Sequence, residues 1–257
     1  MTSPRIALIT GAGSGIGRAI AQAFSRAGYC LAMVGRRERE LRETAALTGL
    51  PALILASDIS TALSARQAVR DCVKHFGRLD VLINNAGLGK LAAIPETSDA
   101  LLEETYRINA FAPAWMTLEA WPVFARQYAE TSVGGCIINV SSMASIDPFP
   151  GFFAYAGSKV AASIMAASIA KEGAAINLRA FALAPGAVET DMLRAAFDES
   201  MISRDQALAP AHIATIALAC ARGEHDALNG KNIPILPEAF KEWYKQYQRD
   251  NPPLPAM

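Results

Sequence analysis

Tyr155 and Lys159 stand four residues apart in the stretch FFAYAGSKVAAS, residues 152–163. At that spacing two side chains share one face of a helix. Their neighbours are small and apolar, suited to close packing, and a lysine buried among them needs a partner unless it snorkels to solvent. A cation beside a phenol favours the phenolate and lowers a pKa that starts at about 10. A phenol tuned in this way donates or accepts a proton at a carbonyl or alcohol oxygen near neutral pH. Ser142, in NVSSMAS, can hydrogen-bond the same oxygen and stabilise developing charge. Hydride for such chemistry comes from a nicotinamide. Asn109 lies in YRIN, inside a long helical pattern where asparagine is locally unfavourable, so it is read as having a specific partner.

A nucleotide needs its own cradle, and TGAGSGIGRAIA supplies one directly after the apolar run RIALIT. Gly11 allows a tight turn, and Gly15 and Gly17 let the backbone approach a pyrophosphate at a helix N-terminus. Ser14 and Ile16 complete this candidate cofactor turn, although Ser14 adds no positive charge. The second apolar run, CLAMVG, ends where an NAD-binding unit would carry an acidic residue for the ribose 2′-hydroxyl. Gly35 holds that position, followed by Arg36 and Arg37. A guanidinium forks onto a 2′-phosphate, so NADP(H) is preferred, with NAD(H) possible. The same arginines also suit a charged helix start, with Arg36–Glu40 and Arg39–Glu43 at pairing distance. Asp58 and Ile59 follow the third run. They suit an adenine contact, and Asp58 equally suits a cap for a helix beginning near Thr61. In INNAGLG, Asn84 and Asn85 can tie neighbouring loops, and Ala86 and Gly87 leave room for a ribose.

Positioning these groups takes strands and helices in alternation. Apolar β-branched runs at 5–10, 30–35, 52–57, 79–84, 135–141, 178–184 and 232–236 alternate with helical patterns near 15–27, 37–47, 61–76, 98–129, 152–173 and 210–221. Alternation of this kind predicts βαβ units and a parallel sheet. The strands are apolar on both faces, as a sheet covered on both sides requires. The fold class is therefore α/β, a Rossmann-type doubly wound sheet of about seven strands. It is read as one domain over 1–257, with a cofactor half at about 1–90 and a catalytic and substrate half at about 91–250. Ligands of such sheets bind outside the carboxyl ends of the strands, which collects the polar residues above on one edge. Near the end, PEAFKEWYKQYQR predicts a short helix presenting Phe240, Trp243, Tyr244 and Tyr247 as a packing or subunit-contact surface, and NPPLPAM predicts an extended tail.

The 257 residues carry 24 basic and 24 acidic side chains, which favours neither nucleic acid nor an anionic membrane as partner. Apolar residues make up 52%, an excess that suggests buried surface between subunits. Cys30, Cys72, Cys136 and Cys220 are widely spaced with no C-x-x-C, so a reducing compartment fits better than a disulfide framework or a zinc site. MTSPRIALITGAG has too short an apolar run for a secretory signal, and no run of about 20 apolar residues predicts a membrane span. A cytoplasmic location is expected. His75, His212 and His225 are scattered, and no metal site is expected.

Taken together, TGAGSGIG, NNAG, Asn109, Ser142, YAGSK and APGAVETDM resemble the short-chain dehydrogenase/reductase family over nearly the whole chain. Each motif alone is weak; the set is specific. The resemblance implies Tyr155 as acid/base and Ser142, thirteen residues before it, as the carbonyl-polarising partner. It implies that Lys159 binds the nicotinamide ribose and lowers the Tyr155 pKa, and that Asn109 holds a water linking Lys159 to solvent. Pro185, Gly186, Val188 and Thr190 would meet the nicotinamide end. Residues 158–172 match a helix that pairs between subunits in this family, which implies a homodimer or homotetramer. Two departures stand out. Phe181 replaces a common asparagine, from which only a local packing change is expected. NGKNIPILPEAF replaces a glycine-rich end beside the substrate.

The expected activity is hydride transfer between NADP(H) and a carbonyl or alcohol carbon of a small, apolar substrate. Leu88, Met143, Phe149, Phe152 and Met192 are candidate pocket residues, with residues 188–200 as a mobile cover that excludes water. The alternatives are the same chemistry with NAD(H), or a dinucleotide-binding sensor or scaffold without turnover; the latter has no need of a tuned phenol.

Overall fold

A computed structural model describes residues 4–238 together with Lys245 and Arg249. The expected helix at 237–249, with its aromatic positions, and the extended tail lie outside the described residues apart from isolated positions.

Seven strands form one sheet: β1 Ile6–Thr10, β2 Cys30–Gly35, β3 Ala52–Ala56, β4 Val81–Asn84, β5 Cys136–Val140, β6 Arg179–Pro185 and β7 Asn232–Ile235. Their spatial order is β3-β2-β1-β4-β5-β6-β7, and every pairing is parallel. The order reverses between β1 and β4, which opens the crevice where such sheets bind ligands. The helices are α1 Gly15–Arg26, α2 Glu38–Ala46, α3 Ala62–Phe76, α4 Asp99–Tyr106, α5 Ala112–Thr131, α6 Phe153–Glu172, α7 Asp191–Ala196 and α8 Pro210–Arg222.

Alternate strand residues feed two cores, because successive side chains leave a strand on opposite faces. Ala7, Ile9, Met33, Ile83, Ile138 and Phe181 pack under α1 and α8, which add Phe24, Ile213 and Ala217. Ile6, Leu8, Val34, Leu82, Ile137 and Ala182 pack under α3, α5 and α6, which add Val69, Met116, Phe124 and Ala166. Phe181, where a departure was noted, is fully buried in the first of these layers.

The helical pattern expected unbroken over 98–129 is divided. Residues Arg107–Phe111 form a π-turn between α4 and α5. A π-turn lengthens the hydrogen-bond step to five residues, and such bulges gather at functional sites. Asn109 lies in its middle, 1% exposed. α3 starts at Thr61, whose hydroxyl accepts from the Ser64 amide at 3.2 Å. Thr61 and not Asp58 is therefore the cap; Asp58 instead accepts from the Ser60 amide in a local turn at 2.9 Å.

The run Phe153–Ile176, α6 and the turn after it, is long and apolar enough to cross a membrane by length and hydropathy, contrary to the expectation from sequence. Half of it is buried inside the fold, including Ala154, Ala162, Ala166 and Lys159. β7 lies at the sheet edge, paired with β6 on one side only, and a proline such as Pro234 is tolerated in a strand with no neighbour on its outer side. The four cysteines are unpaired; Cys72, Cys136 and Cys220 are buried, and burial pushes each thiol up to about 12.

Candidate active site

Strand ends supply the frame. Thr10 closes β1, and its hydroxyl accepts from the Asn85 and Ala86 amides, both at 2.9 Å. The Asn85 side chain returns to the Thr10 and Gly11 carbonyls at 2.9 and 3.3 Å. The glycine turn and the end of β4 thus form one unit, as the paired asparagines suggested. Asn84 donates to Asn139 at 2.9 Å, and Asn139 donates to the Ala162 carbonyl on α6 at 2.9 Å. Ser141 donates to the Lys159 carbonyl at 3.0 Å. These buried bonds fasten the middle of α6 to β5, which fixes where Tyr155 and Lys159 stand.

Lys159 is 5% exposed and does not snorkel. Its Nζ donates to the Val140 carbonyl at 2.8 Å and lies 5.7 Å from the centre of the Tyr155 ring. Desolvation lowers the ammonium pKa to about 8. Tyr155 is half-buried on the same face. Its phenol pKa is raised by desolvation, with a smaller opposing pull from the Ser142 hydroxyl. The expected lowering by Lys159 is not found. The ammonium donates to the Val140 carbonyl, and loss of water around the phenol sets the direction of its shift. Ser142 also accepts from the Ala144 amide at 3.1 Å, which orients its hydroxyl.

Asn109 has the specific partner its position called for. Its amide donates to the Leu88 carbonyl at 2.9 Å and to Ser158 at 3.0 Å, and its oxygen accepts from the Leu88 amide at 2.8 Å. Both side-chain donors are engaged, so the side chain works as a clamp on the 87–89 loop. A Cβ at Gly87 would lie 3.3 Å from Asn109 Oδ1 and 3.3 Å from Lys159 Nζ. The loop, the π-turn and α6 therefore meet at one point.

At the other end of the crevice the cradle fits a dinucleotide. Gly11 and Gly15 have φ of +65° and +50°. A Cβ on Gly17 would collide with the Gly11 carbonyl oxygen, so α1 starts closer to the turn than any side chain permits. Ser14 and Ile16 lie in the same turn, half-exposed. Arg36 is exposed, and the expected Arg36–Glu40 pair does not form. Glu40 instead takes Arg37 at 2.7 Å, and Arg39 pairs with Glu43 at 3.7 Å as expected. Arg18 donates to the Gly13 carbonyl at 2.5 Å and to Thr44 at 3.1 Å, bracing the turn from α1. Asp58 is exposed beyond β3, whereas Ile59 is 7% exposed in the core, leaving only its edge for an adenine.

β6 leads into the cover. Pro185 ends the strand, the Gly186 amide donates to the Ile235 carbonyl at 2.9 Å, and Val188 is buried beside Leu208. Thr190 caps α7, and its methyl would lie 3.0 Å from a Cβ on Gly15, so the segment crosses back over the glycine turn. Met192 lies against Gly89, whose Cβ position is 2.9 Å from the thioether sulfur and 3.9 Å from the Tyr155 ring. Glu189 holds Arg194 at 2.5 Å and Arg204 at 3.5 Å.

Phe152 touches Tyr155 at 5.5 Å between ring centres, Phe149 at 6.0 Å and Phe197 at 6.1 Å. Leu88 and Met143 are half-buried, whereas Phe149 is 66% exposed and stands at the rim. Phe197, Thr10, Asn139 and Ser158 were missed from sequence. Thr10 was legible as the last strand residue before the first glycine; the other three carry no local signal.

The family model described as short chain dehydrogenase matches residues 5–200. A short chain dehydrogenase of Pseudocercospora fijiensis is 32% identical over 93% of this chain and 84% of its own length. An 11-beta-hydroxysteroid dehydrogenase A of Sesamum indicum is 30% identical over 95% of this chain and 72% of its own. The 3-ketoacyl-(acyl-carrier-protein) reductase of Brucella melitensis, solved with NADH, superposes with a TM-score of 0.85 at 27% identity, over 91% of this chain and 97% of that one. The chain belongs to the short-chain dehydrogenase/reductase family of oxidoreductases, which work with a nicotinamide dinucleotide.

Proposed function

We propose that this protein is an NADP(H)-dependent carbonyl reductase or alcohol dehydrogenase acting on a small apolar substrate. The observation that carries the reading is the juxtaposition of Ser142 and Tyr155 above a buried Lys159, at the end of the crevice opposite the glycine turn. A bound nicotinamide supplies or accepts the hydride. Gly11, Ser14, Gly15, Ile16, Gly17, Asn85, Ala86 and Gly87 would hold the dinucleotide, with Lys159, Pro185, Gly186, Val188 and Thr190 at its nicotinamide end. Arg36 would take the 2′-phosphate. Asp58 and Ile59 flank the adenine side.

In reduction, Tyr155 gives its proton to the substrate oxygen while Ser142 donates a hydrogen bond to the same atom. A phenol pKa above the usual value keeps Tyr155 protonated at neutral pH, as an acid must be. Lys159, charged below about pH 8, stabilises the phenolate left behind. Met192, Phe152 and Phe197 keep water from the carbonyl. The same chemistry with NAD(H) is favoured by one observation, the engagement of Arg37 by Glu40, which halves the cationic charge free at the 2′ position.

The test is consumption of NADPH and of NADH against ketones, aldehydes and quinones, with Tyr155→Phe in parallel. Turnover with NADPH that drops about a thousandfold in the variant supports the reading. Survival of turnover in Tyr155→Phe rejects the acid/base assignment. Cofactor binding with no reduction, and no alcohol oxidation in reverse, supports the sensor alternative.

A further inference from the structure

Asn232 stands on the edge strand β7, in the C-terminal stretch beyond the residues that the family model matches, yet its side chain reaches the loop of the candidate catalytic serine. Asn232 Nδ2 donates to Ser145 Oγ at 3.1 Å. Ser145 Oγ donates to the Ser142 carbonyl at 2.7 Å. Nearby, Ser163 lies 2.6 Å from Ser141 and donates to the Lys159 carbonyl at 3.0 Å. Ser163 also stands 3.4 Å from Ser145. Three hydroxyls and one amide therefore connect β7, the Ser142 loop and the helix carrying Tyr155 and Lys159.

Counting protons gives the amide its direction. Ser145 has one hydroxyl proton, and it goes to the Ser142 carbonyl, so Ser145 Oγ can only accept from elsewhere. Asn232 must present its NH2 to make the bond. The consequence is visible at its other atom: Asn232 Oδ1 is buried without a partner. An unpaired buried carbonyl is unfavourable, and it persists only if the donor on the other side is worth more.

We propose that Asn232 is a positioning residue: by donating to Ser145 it keeps that hydroxyl turned onto the Ser142 carbonyl and so fixes Ser142 against Tyr155. The inference rests on the oxidoreductase reading of the Ser142–Tyr155 pair, but its direct readout does not need turnover.

The discriminating variants are Asn232→Asp and Asn232→Leu, both close in shape to asparagine. An ionised aspartate accepts only and draws the Ser145 proton off the Ser142 carbonyl. Crystal structures of wild type and Asn232→Asp read the separation of the Ser142 and Tyr155 hydroxyls. Lengthening of that separation is expected, with the fold and NADPH affinity retained. With an active carbonyl substrate, kcat of Asn232→Asp is expected to fall about tenfold at pH 8 with little change in KM. Relative to wild type, it recovers at low pH, where the protonated acid donates again. Asn232→Leu loses less, at all pH values equally. An unchanged hydroxyl separation overturns the proposal. So does a loss in Asn232→Asp that matches Asn232→Leu at every pH, since that pattern reports packing alone. Wild-type protein that turns over no carbonyl would count against the oxidoreductase reading, while the hydroxyl separation would still decide the role of Asn232.

Discussion

Lys159 shows what a single residue costs and supplies. Its folded pKa of about 8 lies below the ordinary 10.5 because burial disfavours the ammonium. Between those two values the unfolded chain holds more protons than the folded one, so this group's contribution makes stability rise with pH from about 8 to 10.5. Below that window the charged lysine is a standing penalty. Lys159→Met is therefore expected to raise the melting temperature of the cofactor-free protein by a few degrees at pH 7 while removing turnover. The gain should shrink as pH approaches 10, and calorimetry across pH reads it. On the proposed mechanism, reduction should slow as pH rises through about 8, where the charge that supports the phenolate is lost. Sequence placed Tyr155 and Lys159 together but reversed the sign of the phenol shift. Spacing along a helix reports proximity, whereas desolvation depends on what covers the pair.

Among elements, the strands and most helices were legible because both cores demand uninterrupted apolar strands and the helices begin and end at their own signals. Thr61 opens α3, and Gly77 closes it at φ +78°. The π-turn was not legible, since Arg107–Phe111 is as helical in composition as its flanks; only Asn109 hinted at it. The tie from Asn139 to α6 and the contact of Phe197 with Phe152 join residues far apart in the chain, and no local pattern encodes them. The residues just before and within the start of α2 carry the proposed NADP(H) preference, and they can be tested singly. Arg36→Ala should weaken NADPH binding by about tenfold or more and leave NADH unchanged, as loss of a charge-assisted fork predicts. Glu40→Gln should do the reverse, strengthening NADPH a few-fold by releasing Arg37. Fluorescence titration with each nucleotide checks both variants.

For the molecule as a whole, the outer faces of the π-turn, α5 and α6 leave Phe111, Leu118, Val160 and Ile164 between 47% and 65% exposed. A groove of about 420 Å³ lined by Leu118, Trp121 and Met165 runs between the two helices. Apolar surface of this kind on one face suits a second copy of the chain, in keeping with the expected homodimer or homotetramer. Ile164→Lys with Leu118→Glu in one chain should shift sedimentation toward the monomer, and retention of the wild-type species would refute this surface as the contact.

The buried thiols make the chain its own reporter of unfolding. Cys72, Cys136 and Cys220 are shielded and held protonated, and only Cys30 is partly open. A thiol reagent should therefore add at most one mass increment to the native protein and four once the chain opens, because the reactive species is the exposed thiolate. A brief pulse of such a reagent, read by mass spectrometry, would time the opening of each face of the sheet. Cys72 reports the layer under α3, and Cys136 and Cys220 report the layer under α8.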